Sequence, residues 1–214
     1  MAYSYAFFDL DGTLSDSSEG ITRSVQYALK KMGRAVPPKE QLLGFVGPPL
    51  SRSFSHYFGM SQEEAKTAVD TYREYYSVTG VLECNLYDGV RSLLETLNER
   101  KIPCVLATCK PHRYASTVLS HFEIDRLFAF VSGPEIDGTR GEKHEVIAYA
   151  MEQLGVKDPS KVLMIGDRDQ DVLGAQQVGV DCAGVLWGYG SREELAEAKY
   201  LCASPKEIEK LFGT

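Results

Sequence analysis

The sequence predicts an α/β fold, a mostly parallel sheet core with helices on both faces and an α-helical bundle inserted near its start. Three observations predict it. Five short apolar runs read as buried strands, amphipathic stripes lie between the later ones, and residues 15–83 carry helical stripes but no convincing strand.

The strands come first in the argument. Tyr5–Phe8, Pro103–Ala107, Phe128–Ser132, Val162–Ile165 and Cys182–Leu186 are each short, rich in β-formers, and bounded by polar residues or glycine. Helical spacing marks the connections. Val90, Leu93, Leu94 and Leu97 share one face, as do Tyr114, Val118, Leu119 and Phe122, and again Val146, Ile147, Ala150, Met151 and Leu154. Asp88 precedes the first stripe, and Ser191-x-x-Glu194 and Ser204-Pro205-x-Glu207 read as the openings of two later helices. Strands alternating with helices imply a Rossmann-like parallel core, whose ligands sit at the carboxyl ends of the strands. Within the insert, Ile21, Val25, Ala28, Leu29 and Met32 form one stripe, and Ala65, Val69, Tyr72 and Tyr76 another, opened by the box Ser61-x-x-Glu64. The predicted division is a core of residues 1–15 and 84–214 and a helical bundle of residues 16–83, with hinges near Ser15–Ser18 and Glu83–Asp88.

Composition narrows the function classes. The chain has 214 residues, 43% of them apolar and 25% charged, which supports a packed globular core rather than disorder. A net charge of −7 argues against a nucleic-acid or anionic-membrane partner, so an anionic substrate needs a local reversal of sign. There is no apolar run of membrane-spanning length, and MAYSYAFFDLDGT lacks the basic start of a signal peptide. Five scattered cysteines without a CxxC pair read as free thiols, and a cytoplasmic location is expected. The histidines show no ligand spacing, Gly133-x-x-x-x-Gly138 lacks the lysine of a phosphate loop, and Trp187 is expected to pack beside the cleft.

The chemistry gathers at strand ends. In FFDLDGT, Asp9 and Asp11 stand two residues apart and so project to one side, and Gly12 lets the chain turn away. Two close carboxylates repel, and a divalent cation with a phosphate removes that cost. In MIGDRDQDV, Asp167 lies just past a strand, and Asp169 and Asp171 begin the next helix. A hard cation such as Mg²⁺ takes oxygen ligands, and Asp9, Asp167 and the Asp11 carbonyl suffice to hold it. Thr108, Cys109 and Lys110 follow another strand, where a hydroxyl beside a helix start suits phosphate. Lys143 stands at a helix start, where a cation opposes the dipole; that placement suits screening of Asp9 against phosphate oxygens.

These residues resemble the four motifs of the haloacid-dehalogenase superfamily of phosphatases: DLDGT at Asp9–Thr13, ATCKP at Ala107–Pro111, Lys143, and GDRDQD at Gly166–Asp171. FVGPPLSRSF at residues 45–54 is similar to the helical cap signature of the phosphoglycolate-phosphatase-like branch, and DGTR at Asp137–Arg140 to a bacterial subgroup labelled phosphoglycolate phosphatase or 5′-nucleotidase. The resemblance implies an aspartyl-phosphate on Asp9, acid and base work by Asp11, and phosphoryl contacts from Gly12, Thr108, Cys109, Lys110 and Lys143. It also implies Mg²⁺ on Asp9, Asp11 and Asp167, with Asp171 as an additional ligand or orienting neighbour, and a small phosphorylated metabolite as substrate. Arg52 is expected to touch the rest of that substrate from the cap, and the chain to be a monomer or weak homodimer. Rival readings are a phosphomutase, a phosphonate hydrolase using Lys30 or Lys31, and a catalytically silent regulatory protein on the same fold. A dehalogenase is disfavoured, because carbon–halogen displacement needs no acid at Asp11.

Overall fold

A computed structural model describes residues 3–213. Met1 and Ala2 lie outside the described residues, so the reading of the chain start as no leader rests there on sequence alone. Contacts divide the chain into two compact units, Met1–Ser15 with Leu86–Thr214, and Asp16–Asn85.

The first unit is built on a six-stranded parallel sheet. Its strands are β1 (Tyr5–Phe8), β4 (Cys104–Ala107), β5 (Phe128–Ser132), β6 (Val162–Gly166), β7 (Asp181–Val185) and β8 (Tyr200–Cys202), in the order β5-β4-β1-β6-β7-β8. Two-residue strands β2 (Ser15–Asp16) and β3 (Asn85–Leu86) pair with each other where the chain passes between the units. β1 is central and buried on both faces, with Ala6, Phe7 and Phe8 at most 1% exposed, as a strand between two helical layers requires. The helices are α4 (Val90–Glu99), α5 (His112–His121), α6 (Lys143–Gln153), α7 (Asp169–Gln177) and α8 (Pro205–Leu211). One side of the sheet is closed by Val146, Ile147 and Ala150 of α6 and Val172 and Ala175 of α7, packed with Phe7, Val105 and Met164. From β1 the chain crosses to β4, and from β6 it crosses the other way to β7, so the strand order reverses between β1 and β6. In open α/β sheets the ligand crevice lies outside the strand ends at such a reversal.

The second unit contains α1 (Ser18–Lys31), α2 (Leu50–Phe58) and α3 (Gln62–Tyr76), with 3-10 turns at Lys39–Phe45 and Gly80–Leu82. The Ser61 box forms as expected: Ser61 Oγ accepts from Glu64 N at 3.2 Å and Glu64 Oε2 from Ser61 N at 2.9 Å. α1 and the Gly80 turn meet so closely that a Cβ on Gly20 would lie 1.9 Å from the Gly80 carbonyl oxygen.

Three expectations are corrected. Ser191-x-x-Glu194 opens no helix, and residues 192–199 form turns and bends; Ser191 Oγ accepts from Glu194 N at 3.1 Å, while Glu194 Oε1 is engaged by Arg168 Nε at 2.7 Å and Asp169 N at 3.1 Å. Asp88 does not cap α4; Gly89, at φ 81°, holds that position. The last predicted strand begins one residue earlier and ends at Val185, and β8 follows it unanticipated.

Candidate active site

The sheet places two carboxylates at the reversal point. Phe8 is in register with Ile165, and Asp9 N donates to Ile165 O at 2.9 Å, so Asp9 leaves β1 beside the end of β6. Asp167 follows β6 directly. Asp171 sits in the first turn of α7, where its Oδ2 accepts from Arg168 N at 3.0 Å. One oxygen from each of Asp9, Asp167 and Asp171 lies within 4.8 Å of the others, and all three residues are buried.

Two lysines enter this acidic centre from different elements. Lys143 opens α6, and Ser132 Oγ ties β5 to that helix by donating to Val146 O at 2.7 Å. Lys143 Nζ lies 3.0 Å from Asp9 Oδ1 and 2.7 Å from Asp171 Oδ1, and donates to Ala107 O at 3.1 Å. These pairings explain a cation at an unfavourable helix position. Lys110 Nζ lies 2.7 Å from both carboxylate oxygens of Asp11. Thr108, 1% exposed, is held by its N–H on Ser132 O and receives the Lys110 N–H on its hydroxyl oxygen.

Charge does not balance here. The four buried carboxyl groups of Asp9, Asp11, Asp167 and Asp171 meet two ammonium groups, Lys110 and Lys143, and the Arg168 charge also acts on Asp167. The consequences are visible in proton affinity. Burial, then the charges of Asp171 and Asp9, push the Asp167 carboxyl well above the usual carboxylate range. Burial pushes Asp171 up to about 6, with Lys143 pulling down and Asp9 pulling up. Burial alone would lower Lys143, but Asp171 and Asp9 outweigh it and hold the ammonium charged. Burial likewise raises the Cys109 thiol to about 12, against the pull of Lys143, so it stays protonated and is no rival nucleophile near neutral pH. Asp9 Oδ1 and Asp171 Oδ1 are buried without a well-directed hydrogen bond despite the nearby ammonium. A buried set of carboxylate oxygens that outnumbers its ammonium partners and holds two orphaned atoms fits a hard divalent cation.

Asp167 is enclosed by a glycine-rich cradle. Its Oδ1 accepts from Thr13 Oγ1 at 3.3 Å and its Oδ2 from Tyr189 N at 2.8 Å. Trp187 Nε1 donates to Thr13 O at 3.0 Å and ties the loop after β7 to the loop after β1. A Cβ on Gly188 would lie 2.4 Å from both Asp167 Cβ and Gly12 O, and one on Gly190 only 1.8 Å from Asp167 O. Gly12, at φ 84°, also has no room, since its Cβ would meet Asp167 Oδ2 at 2.1 Å. Gly188→Ala is therefore expected to cost about 1–3 kcal/mol by overpacking. Because the displaced atoms belong to a candidate ligand, it should also weaken magnesium-dependent thermal stabilisation, read by melting with and without the ion.

The family model for haloacid dehalogenase-like hydrolases matches residues 6–185. The chain belongs to that family. It is 44% identical over 214 residues to a 5′-nucleotidase of Pseudomonas aeruginosa, covering 99% of this chain and 96% of the relative. It is 39% identical over 183 residues to the tyrosine-protein kinase PtkA of Mycobacterium tuberculosis, covering 86% of this chain and 62% of that longer protein. A predicted phosphatase from Clostridium acetobutylicum has the same structure with a TM-score of 0.95, at 42% identity and 98% coverage of both chains. The hydrolase is a phosphatase.

In this hydrolase the structure brings together Asp9, Asp11, Gly12, Thr108, Lys110, Lys143, Asp167 and Asp171 at the carboxyl edge of the sheet. Cys109 is half-buried in the same turn as Thr108. The side chain of Asp11 pairs with Lys110 and lies outside the three-aspartate cluster. Arg52 is exposed in the first turn of α2, in the other unit. Sequence reading missed the Asp167 cradle. Its signal was the LWGYG run, whose glycines stand where a strand should have handed over to a helix.

Proposed function

We propose that this phosphatase is a magnesium-dependent phosphomonoester hydrolase that works through a phosphoryl group carried on Asp9. The observation that carries the reading is the buried cluster of Asp9, Asp167 and Asp171 with Lys143 on two of its members. Magnesium held by Asp9, Asp167 and Asp171, with the Asp11 carbonyl, would supply the charge neutralisation that brings a phosphate dianion to a carboxylate. The rest is work for the chain's own residues. An oxygen of Asp9 attacks phosphorus while the bond to the leaving oxygen breaks, and Asp11 gives that oxygen its proton. Water then attacks phosphorus, Asp11 takes a proton from it, and the bond to Asp9 breaks to release inorganic phosphate. Thr108 and Lys143 hold the equatorial oxygens, where charge spreads in the transition state.

Nucleoside 5′-monophosphates head the expected substrates among small phosphorylated metabolites. The relative that is 44% identical along nearly its whole length, a 5′-nucleotidase, supports that choice, and phosphoglycolate stands next. The test is kcat/KM across a panel of nucleotides, phosphoglycolate, sugar phosphates and p-nitrophenyl phosphate, with and without magnesium. Turnover on none of them, or turnover indifferent to chelation, would refute the reading. The similarity to a tyrosine-protein kinase favours one second reading, in which a hydroxyl replaces water as acceptor of the phosphoryl group. Label moving from donor to a tyrosine peptide, rather than to inorganic phosphate, would establish it.

Selectivity beyond the phosphate is assigned to the helical unit acting as a cap, with Arg52 in contact with the remainder of the substrate. Arg52→Ala is expected to lower kcat/KM on the best panel substrate by about tenfold, the scale of one charge-assisted hydrogen bond, and to spare p-nitrophenyl phosphate. Equal losses on both would remove Arg52 from the substrate site.

A further inference from the structure

We propose that Lys110 is a positioning residue for Asp11, aiming the acid and base of the reaction rather than binding the phosphoryl group. The inference rests on Asp11 being that acid and base.

The geometry separates the two lysines. Lys143, from α6, addresses Asp9 and Asp171. Lys110, from the turn between β4 and α5, sits equidistant from the two oxygens of Asp11, at 2.7 Å each. Both members of this pair are nearly excluded from solvent, at 4% and 10% side-chain exposure, so their attraction is weakly screened. Asp11 needs such a partner. It lies beyond the last β1–β6 pair, Phe8 with Ile165, and the chain turns away at Gly12 immediately after it. Lys110 itself is anchored. Its N–H donates to Thr108 Oγ1 at 3.2 Å, and its carbonyl oxygen packs so near Gly133 that a Cβ there would be 2.7 Å away. An ammonium fixed at its backbone and centred on a carboxyl group holds the direction in which that group points. When one oxygen of Asp11 carries the proton, Lys110 still has a donor for the other.

The consequence concerns leaving groups. Positioned general acids contribute about 10²–10⁴-fold, and most where the departing oxygen is too basic to leave unprotonated. p-Nitrophenolate leaves unaided; phenolate and alkoxides need the proton. Loss of aim in Asp11 therefore falls on phenyl phosphate. A phosphate ligand, by contrast, touches a group common to every substrate, and its loss raises KM on all of them.

The experiment compares Lys110→Met, Lys110→Gln, Asp11→Asn and the double variant Lys110→Met/Asp11→Asn on a series from p-nitrophenyl to phenyl phosphate. Circular dichroism checks that each is folded, and Lys110→Gln serves should the methionine variant fail to fold. Expected is a fall in kcat/KM, which reports the step in which the leaving group departs, at least about tenfold larger on phenyl phosphate than on p-nitrophenyl phosphate. Lys110→Met should add little to the loss already present in Asp11→Asn, because the two residues act as one unit. Equal losses of kcat/KM on both substrates, or losses that multiply in the double variant, would overturn the proposal and return Lys110 to the phosphate. A steepened leaving-group dependence in Asp11→Asn but not in Lys110→Met overturns this inference alone. Its absence in both overturns the role of Asp11 as well.

Discussion

Asp9→Asn is expected to abolish turnover, by at least about 10⁴-fold, while leaving the protein folded. The substitution is nearly isosteric, and the backbone N–H of Asp9 stays on Ile165 O at 2.9 Å, so the strand end is undisturbed. What disappears is the anionic oxygen that attacks phosphorus. An amide cannot form the stable phosphoryl ester, and water alone faces one of the slowest hydrolyses known. The charge of Lys143 also loses one of its two carboxylate neighbours, leaving Asp171. Initial rates on the best panel substrate check the loss. Residual activity within about tenfold of the parent, a gap of only 1.4 kcal/mol in the barrier, would remove Asp9 from the role of nucleophile.

Asp167→Asn is the second large effect, and it is expected to separate stability from activity. The carboxylate is fully buried beside Asp9 and Asp171, and burial and those charges push its proton affinity up. Asparagine removes a carboxyl that must either hold a like charge or bind a proton there, and keeps two hydrogen bonds, with its oxygen on Tyr189 N and its amide donating to Thr13 Oγ1. The metal-free variant should therefore melt a few degrees higher than the metal-free parent, about 2–4 °C for each kcal/mol relieved in a protein of this size. Its activity should fall by at least about 100-fold, because loss of one charged donor weakens the whole ion site. Magnesium should stabilise the parent and leave the variant nearly unmoved. The same logic gives a sign for pH. A carboxyl with raised proton affinity binds more protons folded than unfolded, so the metal-free parent loses stability as pH rises from about 4, the ordinary range, towards about 6, where Asp171 titrates. Magnesium should flatten that slope, and melting curves across pH with and without the ion read it directly. A metal-free Asp167→Asn protein that melts lower than the parent would contradict the account.

Much of the fold was legible because its signals were local. The runs at Tyr5–Phe8 and Val162–Ile165 are strands buried except at the half-buried Tyr5, and such strands read as unbroken apolar stretches. The helical stripes of α4, α5 and α6 face the core as spaced. What escaped was decided by distant partners. Tyr200–Cys202 is three residues long, too short for any periodicity, and is a strand only because β7 lies beside it. Ser191-x-x-Glu194 has the pattern of a helix start, but the glutamate is taken by Arg168, which no local window contains.

The site was legible for a different reason. Asp9 and Asp11 were marked by their place just past the first strand, and the strand order brings Asp167 beside Asp9; alternation along a strand does not govern the pair, because β1 ends at Phe8 and the Asp11 side chain meets Lys110. The division of labour between the lysines was not legible. Lys110 follows a strand and Lys143 opens a helix, and only the packed structure shows that one meets Asp11 and the other Asp9. Nor could spacing reveal that Gly188 and Gly190 are pressed against Asp167, because glycine in a turn reads the same whether it faces solvent or a carboxylate.

The central claim is that phosphorus passes through Asp9. The most direct measurement is an acid quench during turnover of a labelled phosphomonoester, followed by digestion and mass spectrometry of the chain. The account predicts a phosphoryl group on the peptide carrying Asp9, labile to hydroxylamine and missing from Asp9→Asn. Label on another side chain, or steady turnover of the parent with no label trapped under single-turnover conditions, would contradict it.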